Sequence, residues 1–398
     1  MIRDALRAPA SAVVSGPRWR VGILGATGAV GQKFVRRLDG HPWFEVSALF
    51  GSERSAGKRY AEAARWLEPV PLPARIGATV VTLASADAAA LERCDLLFSA
   101  LDAATAATLE RELVARGHAV FTNAGAHRMA EEVPLLVPEI NADHLELVAG
   151  GGGRGVLVAN PNCSTAGLVA ALAPLDRRFG VESVQVATLQ AVSGAGYPGT
   201  ASLDILGNAI PWIAGEEEKI ESEPRKILGR REGDRILPAP LTISAQAHRI
   251  PVLDGHLLAI SVRLATRATL RAARDAFAEY GQPLAALELP SAPRRLIHLL
   301  DAPDAPQPRL HVNLENGMAV AVGRLRPCPV SDLRFAALVH NTVRGAAGGA
   351  ILNAELAARS GLLRPRTATV GVSRWRDGRT AASVAPDRRP SAAASTRL

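Results

Sequence analysis

One short segment near the start of the chain limits its fold more than any other feature. Val21-Gly22-Ile23-Leu24 is an apolar run, Gly25-Ala-Thr-Gly28-Ala-Val-Gly31 is a turn punctuated by glycines, and Gln32 to Leu38 has a helical pattern. Strand, glycine turn and helix in that order open a nucleotide-binding βαβ unit. The reason is access. A backbone without side chains can approach a pyrophosphate at a helix N-terminus, where free N–H groups and the helix dipole favour negative charge. Gly25, Thr27, Gly28, Ala29, Val30 and Gly31 are therefore the expected contacts, with Thr27 adding a hydroxyl. A plain tight turn has similar glycines, so the motif alone leaves both readings open.

The segments that follow extend the pattern. Strand-like runs at Phe44 to Phe50, Ala78 to Leu83, Asp95 to Ser99, Ala119 to Thr122 and Val156 to Val158 alternate with helical stretches such as Asp87 to Arg93 and Ala103 to Arg116. That alternation predicts a doubly wound parallel sheet of Rossmann type. After Cys163 the texture changes. Longer strands (Ser183 to Ala191, His256 to Ala265, Ala319 to Leu325) surround a helical region at Ser202 to Ile213, which predicts a second, α+β domain. A final helix is expected over Gly348 to Ala358. The expected division is a disordered extension over 1–18, a nucleotide-binding domain over 19–162 and an α+β domain over 163–340. A C-terminal helix over 341–360 and a disordered Arg/Ala/Ser-rich tail over 361–398 complete it. No helix follows Gly150 to Gly153, so that run reads as a linker.

Charge could mislead here. A net +8 would ordinarily point to nucleic acid or an anionic surface. Residues 361–398 carry eight arginines and two aspartates, and residues 1–20 four arginines and one aspartate. The whole excess therefore lies at the ends, and the 340 residues between sum to −1. No nucleic-acid partner is expected. Three cysteines in 398 residues, at 94, 163 and 328, have neither a disulfide-framework nor a zinc spacing, which points to a reducing, cytoplasmic setting and no metal. The longest apolar stretch, Ala166 to Leu175, is far short of the ~20 residues of a membrane span, so no membrane partner is expected.

Three sites carry chemistry. The second strand ends Phe50-Gly51-Ser52-Glu53-Arg54-Ser55. The hydroxyls of Ser52 and Ser55 with the Arg54 guanidinium suit a ribose 2′-phosphate and predict NADP(H), whereas an inward-turned Glu53 would serve NAD. Cys163 stands in Asn160-Pro-Asn162-Cys163-Ser-Thr directly before an apolar helix, Ala166 to Leu172. A thiol at a helix N-terminus is expected to have a lowered pKa, and the same amides could stabilise an oxyanion. A nucleophile needs a proton partner, and a Pro/Gly-rich turn delivers His256 to the start of a strand, seven residues after Arg249, whose planar fork grips carboxylates. Cys94 and Cys328 read as ordinary buried, apolar cysteines.

The motifs taken together resemble aspartate-semialdehyde dehydrogenase, in the branch typical of archaea and fungi. They are the glycine turn, the Cys163 segment, Gln190-Ala-Val-Ser193-Gly194-Ala-Gly196, Gly215-Glu216-Glu-Glu-Lys219-Ile, Arg249 through His256, and Asn341-Thr-Val-Arg-Gly345-Ala-Ala-Gly348, in the family's order from about Trp19 to Ala358. The resemblance implies a Rossmann-type NADP-binding domain, a catalytic and dimerisation domain of the semialdehyde dehydrogenase type, and a C-terminal helix returning to the first domain. It implies reduction of L-aspartyl 4-phosphate to L-aspartate 4-semialdehyde with release of phosphate, and a homodimer or homotetramer. Cys163 would form the thioester, His256 act as general acid/base and Gln190 orient the acyl group, beside Asn162. Arg249 would bind the substrate carboxylate, Glu216 its ammonium, and Lys219 with Arg128 the phosphate. Ser193, Gly194 and Asn341 would contact the nicotinamide half. Without the resemblance, Glu216 to Lys219 reads as a solvated helical face with an i,i+3 pair.

Related chemistries compete: malonyl-CoA reductase, and N-acetyl-γ-glutamyl-phosphate reductase, whose acylated amine would leave Glu216 no cation. A non-catalytic NADP-binding regulator is the remote alternative. Short-chain reductases share the Gly-Ala-Thr-Gly opening but need Tyr-x-x-x-Lys. The residues four after Tyr60, Tyr197 and Tyr280 are Ala64, Ala201 and Leu284, so that class is excluded.

Overall fold

The glycine turn sits where the strand order of a parallel sheet reverses. A computed structural model describes residues 18–149, 155–280, 284–363 and 365. The expectations for residues 1–17, for the Gly150 to Gly153 linker and for the tail beyond Pro365 fall outside the described residues. The first sheet is built from β1 (Trp19–Leu24), β2 (Phe44–Gly51), β3 (Thr82–Leu83), β4 (Leu96–Ser99), β5 (Ala119–Thr122) and β6 (Val156–Ala159). Its order is β3-β2-β1-β4-β5-β6 with every neighbouring pair parallel. That is the doubly wound Rossmann order, and ligands of such sheets bind beyond the strand ends at the reversal, here between β1 and β4.

Both faces of this sheet are covered, which is why β4 and β6 are buried at every residue and read as continuous apolar runs. Helix α1 (Ala29–Leu38) lays Phe34 on Phe98 of β4, ring centroids 4.8 Å apart. On the other face, α2 (Ala103–Ala115) contributes Leu109 and Leu113, packed with Leu97, Val120 and Leu157. The turn into α1 tolerates little. Gly25 has φ +73°, and a Cβ on Gly31 would lie 2.3 Å from the Gly25 carbonyl oxygen.

Beyond β6, α3 (Cys163–Phe179) serves two cores. Val169 packs with the α2 side of the first sheet, while Leu168, Leu172 and Leu175 pack beneath a second sheet. The later elements are β7 (Val181–Gln190), α4 (Glu216–Ile227), β8 (Thr242–Arg249), β9 (His256–Leu264), α5 (Leu270–Glu279), β10 (Ile297–Leu300), β11 (Val320–Pro327), β12 (Leu333–Val339) and α6 (Gly348–Arg359). The second sheet has the order β8-β7-β9-β12-β11-β10 and mixes parallel with antiparallel pairs. Helices α3 and α5 cover one face. On the other face, Gln185, Ser244, Gln246 and Ala259 are exposed. Helix α6 is buried along its whole length and joins the core that contains Phe34, Phe98 and Phe121 of the first sheet.

Three sequence expectations fail locally. Of Ala78 to Leu83, only Thr82 and Leu83 join the sheet. Thr79 and Val81 bond instead with Lys58 and Tyr60 and with the amide of Gly57, so a neighbouring loop takes the backbone groups a strand would have used. Ser202 to Ile213 is helical only over Ser202–Ile205, because Gly207 takes φ +70° and Pro211 follows. Asp87 to Arg93 forms a 3-10 turn over Ala89–Arg93.

Candidate active site

Four elements bring their ends together. Cys163 is the first residue of α3, Gln190 the last of β7, Arg249 the last of β8 and His256 the first of β9. Gln190 and Arg249 are register partners, and β9 flanks β7 on its other side with Leu257 opposite Leu189. The sheet thus presents an amide, a guanidinium and an imidazole side by side, all buried, facing the start of a helix.

Cys163 Sγ lies 3.1 Å from His256 Nε2. The Ala191 amide donates to His256 Nδ1 at 3.1 Å, so that nitrogen carries the lone pair and the neutral ring keeps its proton on Nε2, facing sulfur. A second ring proton would have to displace the Ala191 donor. Burial, and then the nearby Arg249 guanidinium, push the imidazole down to about 3. Arg249 is itself oriented by donating from Nη1 to the Ala191 carbonyl at 2.7 Å. Backbone groups of one residue therefore set both side chains.

The thiol departs from expectation. Burial, and secondarily the Glu216 carboxylate, push Cys163 up to about 12, although Arg128, the Ser164 amide and Arg249 pull the other way. Asn162 Oδ1 accepts from the amides of both Ser164 and Thr165, at 2.9 and 3.2 Å, so the helix start is already capped and is not a vacant oxyanion hole. A raised thiol pKa means that the thiolate fraction grows only in alkaline solution. Alkylation of Cys163 by iodoacetamide should be slow at pH 7 and still rising through pH 10. A plateau near the ordinary cysteine value, about 8.5, would show that burial does not govern the site.

Glu216 is the hub of the polar wall. Its carboxylate accepts from Asn162 Nδ2 at 3.0 and 2.9 Å, Gln190 Nε2 at 3.2 Å and Lys219 Nζ at 3.0 Å. Burial alone would raise its pKa, but Lys219 and the donated hydrogen bonds outweigh it and the net shift is downward. Lys219 is thus the i,i+3 partner of Glu216, as the plain helical reading expects, yet the pair faces the site. Arg128 donates from Nη1 to Glu223 at 3.0 Å and from Nη2 to the Asn123 carbonyl at 2.7 Å, while its buried Nε has no partner.

Asn341 Nδ2 donates to Ser193 Oγ at 2.8 Å, and its Oδ1 accepts from Gly255 N at 2.9 Å, tying the loop after β7 to the turn before His256. A Cβ on Gly194 would lie 2.9 Å from Arg249 Nη1 and 3.3 Å from His256 Nε2. A cleft of about 600 Å³ runs from Ala29 past Ser193 to Tyr197, Leu253 and His340. At the β2 end, Ser52, Glu53 and Arg54 are exposed, while Ser55 is buried and donates its hydroxyl to the Ser52 carbonyl at 3.0 Å, inside its own turn.

Sequence reasoning missed Glu223 and, though it placed Gly345 in a motif, missed what that glycine touches. Gly345, in a buried turn before α6, would bring a Cβ to 2.6 Å from Cys163 Cβ. Glu223, which bridges Arg128 and the Asn162 amide (2.7 Å), lies on one helical stripe with Glu216, and that periodicity was its only local signal.

Comparisons with known proteins agree with this picture. The family models of the "semialdehyde dehydrogenase, NAD binding domain" and the "semialdehyde dehydrogenase, dimerisation domain" match residues 20–148 and 172–344. The chain is 45% identical over 356 residues to aspartate-semialdehyde dehydrogenase of Schizosaccharomyces pombe, covering 86% of this chain and 99% of that protein. It is 44% identical over 343 residues to the Archaeoglobus fulgidus protein of the same name, covering 85% and 98%. The crystal structure of aspartate semialdehyde dehydrogenase with NADP from Candida albicans superposes with a TM-score of 0.81 at 40% identity, covering 87% of this chain and all of that one. With both domain models matched in order and relatives this similar along their full length, the chain belongs to the semialdehyde dehydrogenase family, in the aspartate-semialdehyde dehydrogenase branch found in archaea and fungi.

Proposed function

We propose that this chain catalyses the NADPH-dependent reductive dephosphorylation of L-aspartyl 4-phosphate to L-aspartate 4-semialdehyde, in the biosynthesis of lysine and diaminopimelate, methionine, threonine and isoleucine. The observation that carries the reading is the part-buried Cys163–His256 contact of 3.1 Å, walled by groups of both charges. In this reading residues 19–162 are the cofactor domain, 163–340 the catalytic and dimerisation domain, and 341–360 the segment returning to the first.

The residues present fit the cofactor. No side chain caps α1, whose first amides stand behind the glycine turn beside the cleft. Gly25, Thr27, Gly28, Ala29, Val30 and Gly31 would hold the pyrophosphate and Ser52 and Arg54 the 2′-phosphate, with Ser55 shaping their turn. Ser193, Gly194 and Asn341 would line the nicotinamide end. NADP(H), when bound there, supplies or accepts the hydride.

Cys163 sulfur attacks the acyl carbon, the C–O bond to phosphate breaks, and a thioester remains. The thiol proton passes to the departing phosphate as the C–S bond forms, because the resting neutral imidazole already holds its proton on Nε2 and its Nδ1 accepts from Ala191. The His256 Nε2–H is placed to donate to sulfur or to the developing carbonyl oxyanion, a duty the capped helix amides cannot take. After reduction, collapse of the hemithioacetal frees the aldehyde and returns the thiol. Gln190 aligns the acyl group, Arg249 grips the carboxylate, Glu216 faces the ammonium, and Arg128 with Lys219 holds the phosphate. His256→Asn should slow turnover by ~10²-fold or more, the usual loss with a general acid/base, in steady-state assays; an unchanged rate would assign the proton to another group.

The uncovered face of the second sheet supports a homodimer, or a homotetramer built from it, and the matched dimerisation domain spans that sheet. Among the described residues no helix is long and apolar enough to cross a membrane, and no disulfide joins the three cysteines, which supports a cytoplasmic location. The deciding assay is NADP⁺ reduction with inorganic phosphate, comparing aspartate semialdehyde with N-acetylglutamate semialdehyde, and NADPH oxidation with malonyl-CoA. Turnover confined to aspartate semialdehyde is expected. Faster turnover of either competitor would overturn the substrate assignment.

A further inference from the structure

Helix α4 carries four charged residues at spacings of three, four and three: Glu216, Lys219, Glu223 and Lys226. Those spacings place them on one face. Three are buried, and the face looks into the junction between the Cys163 segment and the loop of Arg128. Glu216 and Lys219 already belong to the substrate wall. The lower half of the stripe has no such duty, yet its contacts are more specific than surface charges require.

Glu223 accepts from Arg128 Nη1 at 3.0 Å with one oxygen and from the Asn162 amide at 2.7 Å with the other. A single carboxylate thus joins the guanidinium to the residue before the nucleophile, 34 positions away in sequence. One turn further on, Lys226 Nζ donates to the carbonyls of Arg128, Ala130 and Val133 at 2.8, 2.6 and 2.7 Å. Its ammonium gathers the far side of the same loop. Arg128 is therefore held at its side chain by Glu223 and at its backbone by Lys226, both from α4.

We propose that Glu223, backed by Lys226, is a positioning residue that fixes the Arg128 guanidinium relative to Cys163 and so sets the affinity for the phosphoryl group. The inference rests on the phosphate role given to Arg128 above. Three considerations favour it over plain packing. Both charges are buried, where an unpaired one would be costly. The two Glu223 bonds go to two segments that must meet at the site. The Arg128 Nε remains unpartnered, so the guanidinium is oriented by its neighbours without being saturated by them.

The test is a double-mutant cycle in the full-length enzyme with Glu223→Gln, Arg128→Ala and the pair. The glutamine variant would keep an oxygen for the Asn162 amide and lose the charge that aligns Arg128. Glu223→Gln should raise the KM for inorganic phosphate about tenfold or more, as loss of one charge-assisted hydrogen bond does. The KM for NADP⁺ should stay unmoved. The double variant should be no worse than Arg128→Ala alone, and Glu223→Asp should fall between wild type and Glu223→Gln, which keeps the test open if the glutamine variant folds poorly. An unmoved phosphate KM, or effects that add in the double variant, would overturn the proposal. If the wild type shows no phosphate-dependent turnover, the functional reading itself has failed. Protection of Cys163 from iodoacetamide by inorganic phosphate then reads the same contact. Protection of the wild type that weakens in Glu223→Gln supports the role, and equal or absent protection overturns it.

Discussion

Cys163→Ala should abolish turnover, lowering kcat by about 10⁵-fold or more, as removal of a covalent nucleophile does in enzymes whose groups act as a unit. The dissociation constant for NADPH should hardly move, because the glycine turn and the open end of α1 lie on another element and make no use of the thiol. Steady-state kinetics and fluorescence titration with NADPH separate the two quantities. The side chain lost is small, and the Asn162 cap that organises the start of α3 stays in place, so the fold should survive. Retained activity would remove the thioester from the mechanism. Loss of NADPH binding would mean that the two sites are less independent than their placement implies.

Gly345→Ala should also damage the enzyme, though far less, even though the residue makes no contact with substrate in the proposed mechanism. Its added methyl would lie 2.6 Å from Cys163 Cβ and 2.8 Å from Cys163 Cα, distances that real side chains do not adopt. Something must move, and the Gly345 side is fastened. Its amide donates to the His340 carbonyl at 3.0 Å, and the adjacent Arg344 makes a bidentate pair with Glu139 at 2.6 and 2.7 Å, both side chains buried. Breaking such a pair costs about 3–5 kcal/mol, so the strain falls on the nucleophile. A displacement of ~1 Å at a reacting centre can cost ~10²-fold in rate. We therefore expect kcat/KM to fall by about that factor with NADPH affinity preserved. Activity at the parent level would show that the turn before α6 yields and the cysteine does not.

Much of the fold was legible because its signals are local. The glycine turn, the fully buried strands β4 and β6, and the switch to longer strands after Cys163 all lie in short windows of sequence. The edge of the first sheet was not. Val80 and Val81 look like strand residues, but which backbone receives their hydrogen bonds depends on a loop some twenty residues earlier. Strand β8 escapes notice because its inward residues include Ala245 and Ala247, too small to mark an apolar alternation.

The site divides the same way. Cys163, Arg249 and His256 stand out from their immediate neighbours, whereas Glu223 and Gly345 matter through partners far along the chain. The thiol is the instructive case. A helix N-terminus predicts a lowered pKa, and the local rule is sound, but Asn162 occupies the amides and burial outweighs what remains.

The residue-for-residue ladder between β7 and β8 has an evolutionary consequence. From Ser183 opposite Thr242 to Gln190 opposite Arg249 there is no irregularity, and successive residues of a strand face opposite ways. Inserting or deleting one residue within either strand would swing its terminal amide or guanidinium to the far side of the sheet while leaving the composition almost untouched. The exposed connection at Leu206 to Ala209 lies outside the ladder, before Ile210 exchanges backbone hydrogen bonds with Arg249, and could lengthen at little cost. Changes in length should therefore accumulate there across a lineage, and the two strands should keep a fixed count even where their individual residues drift.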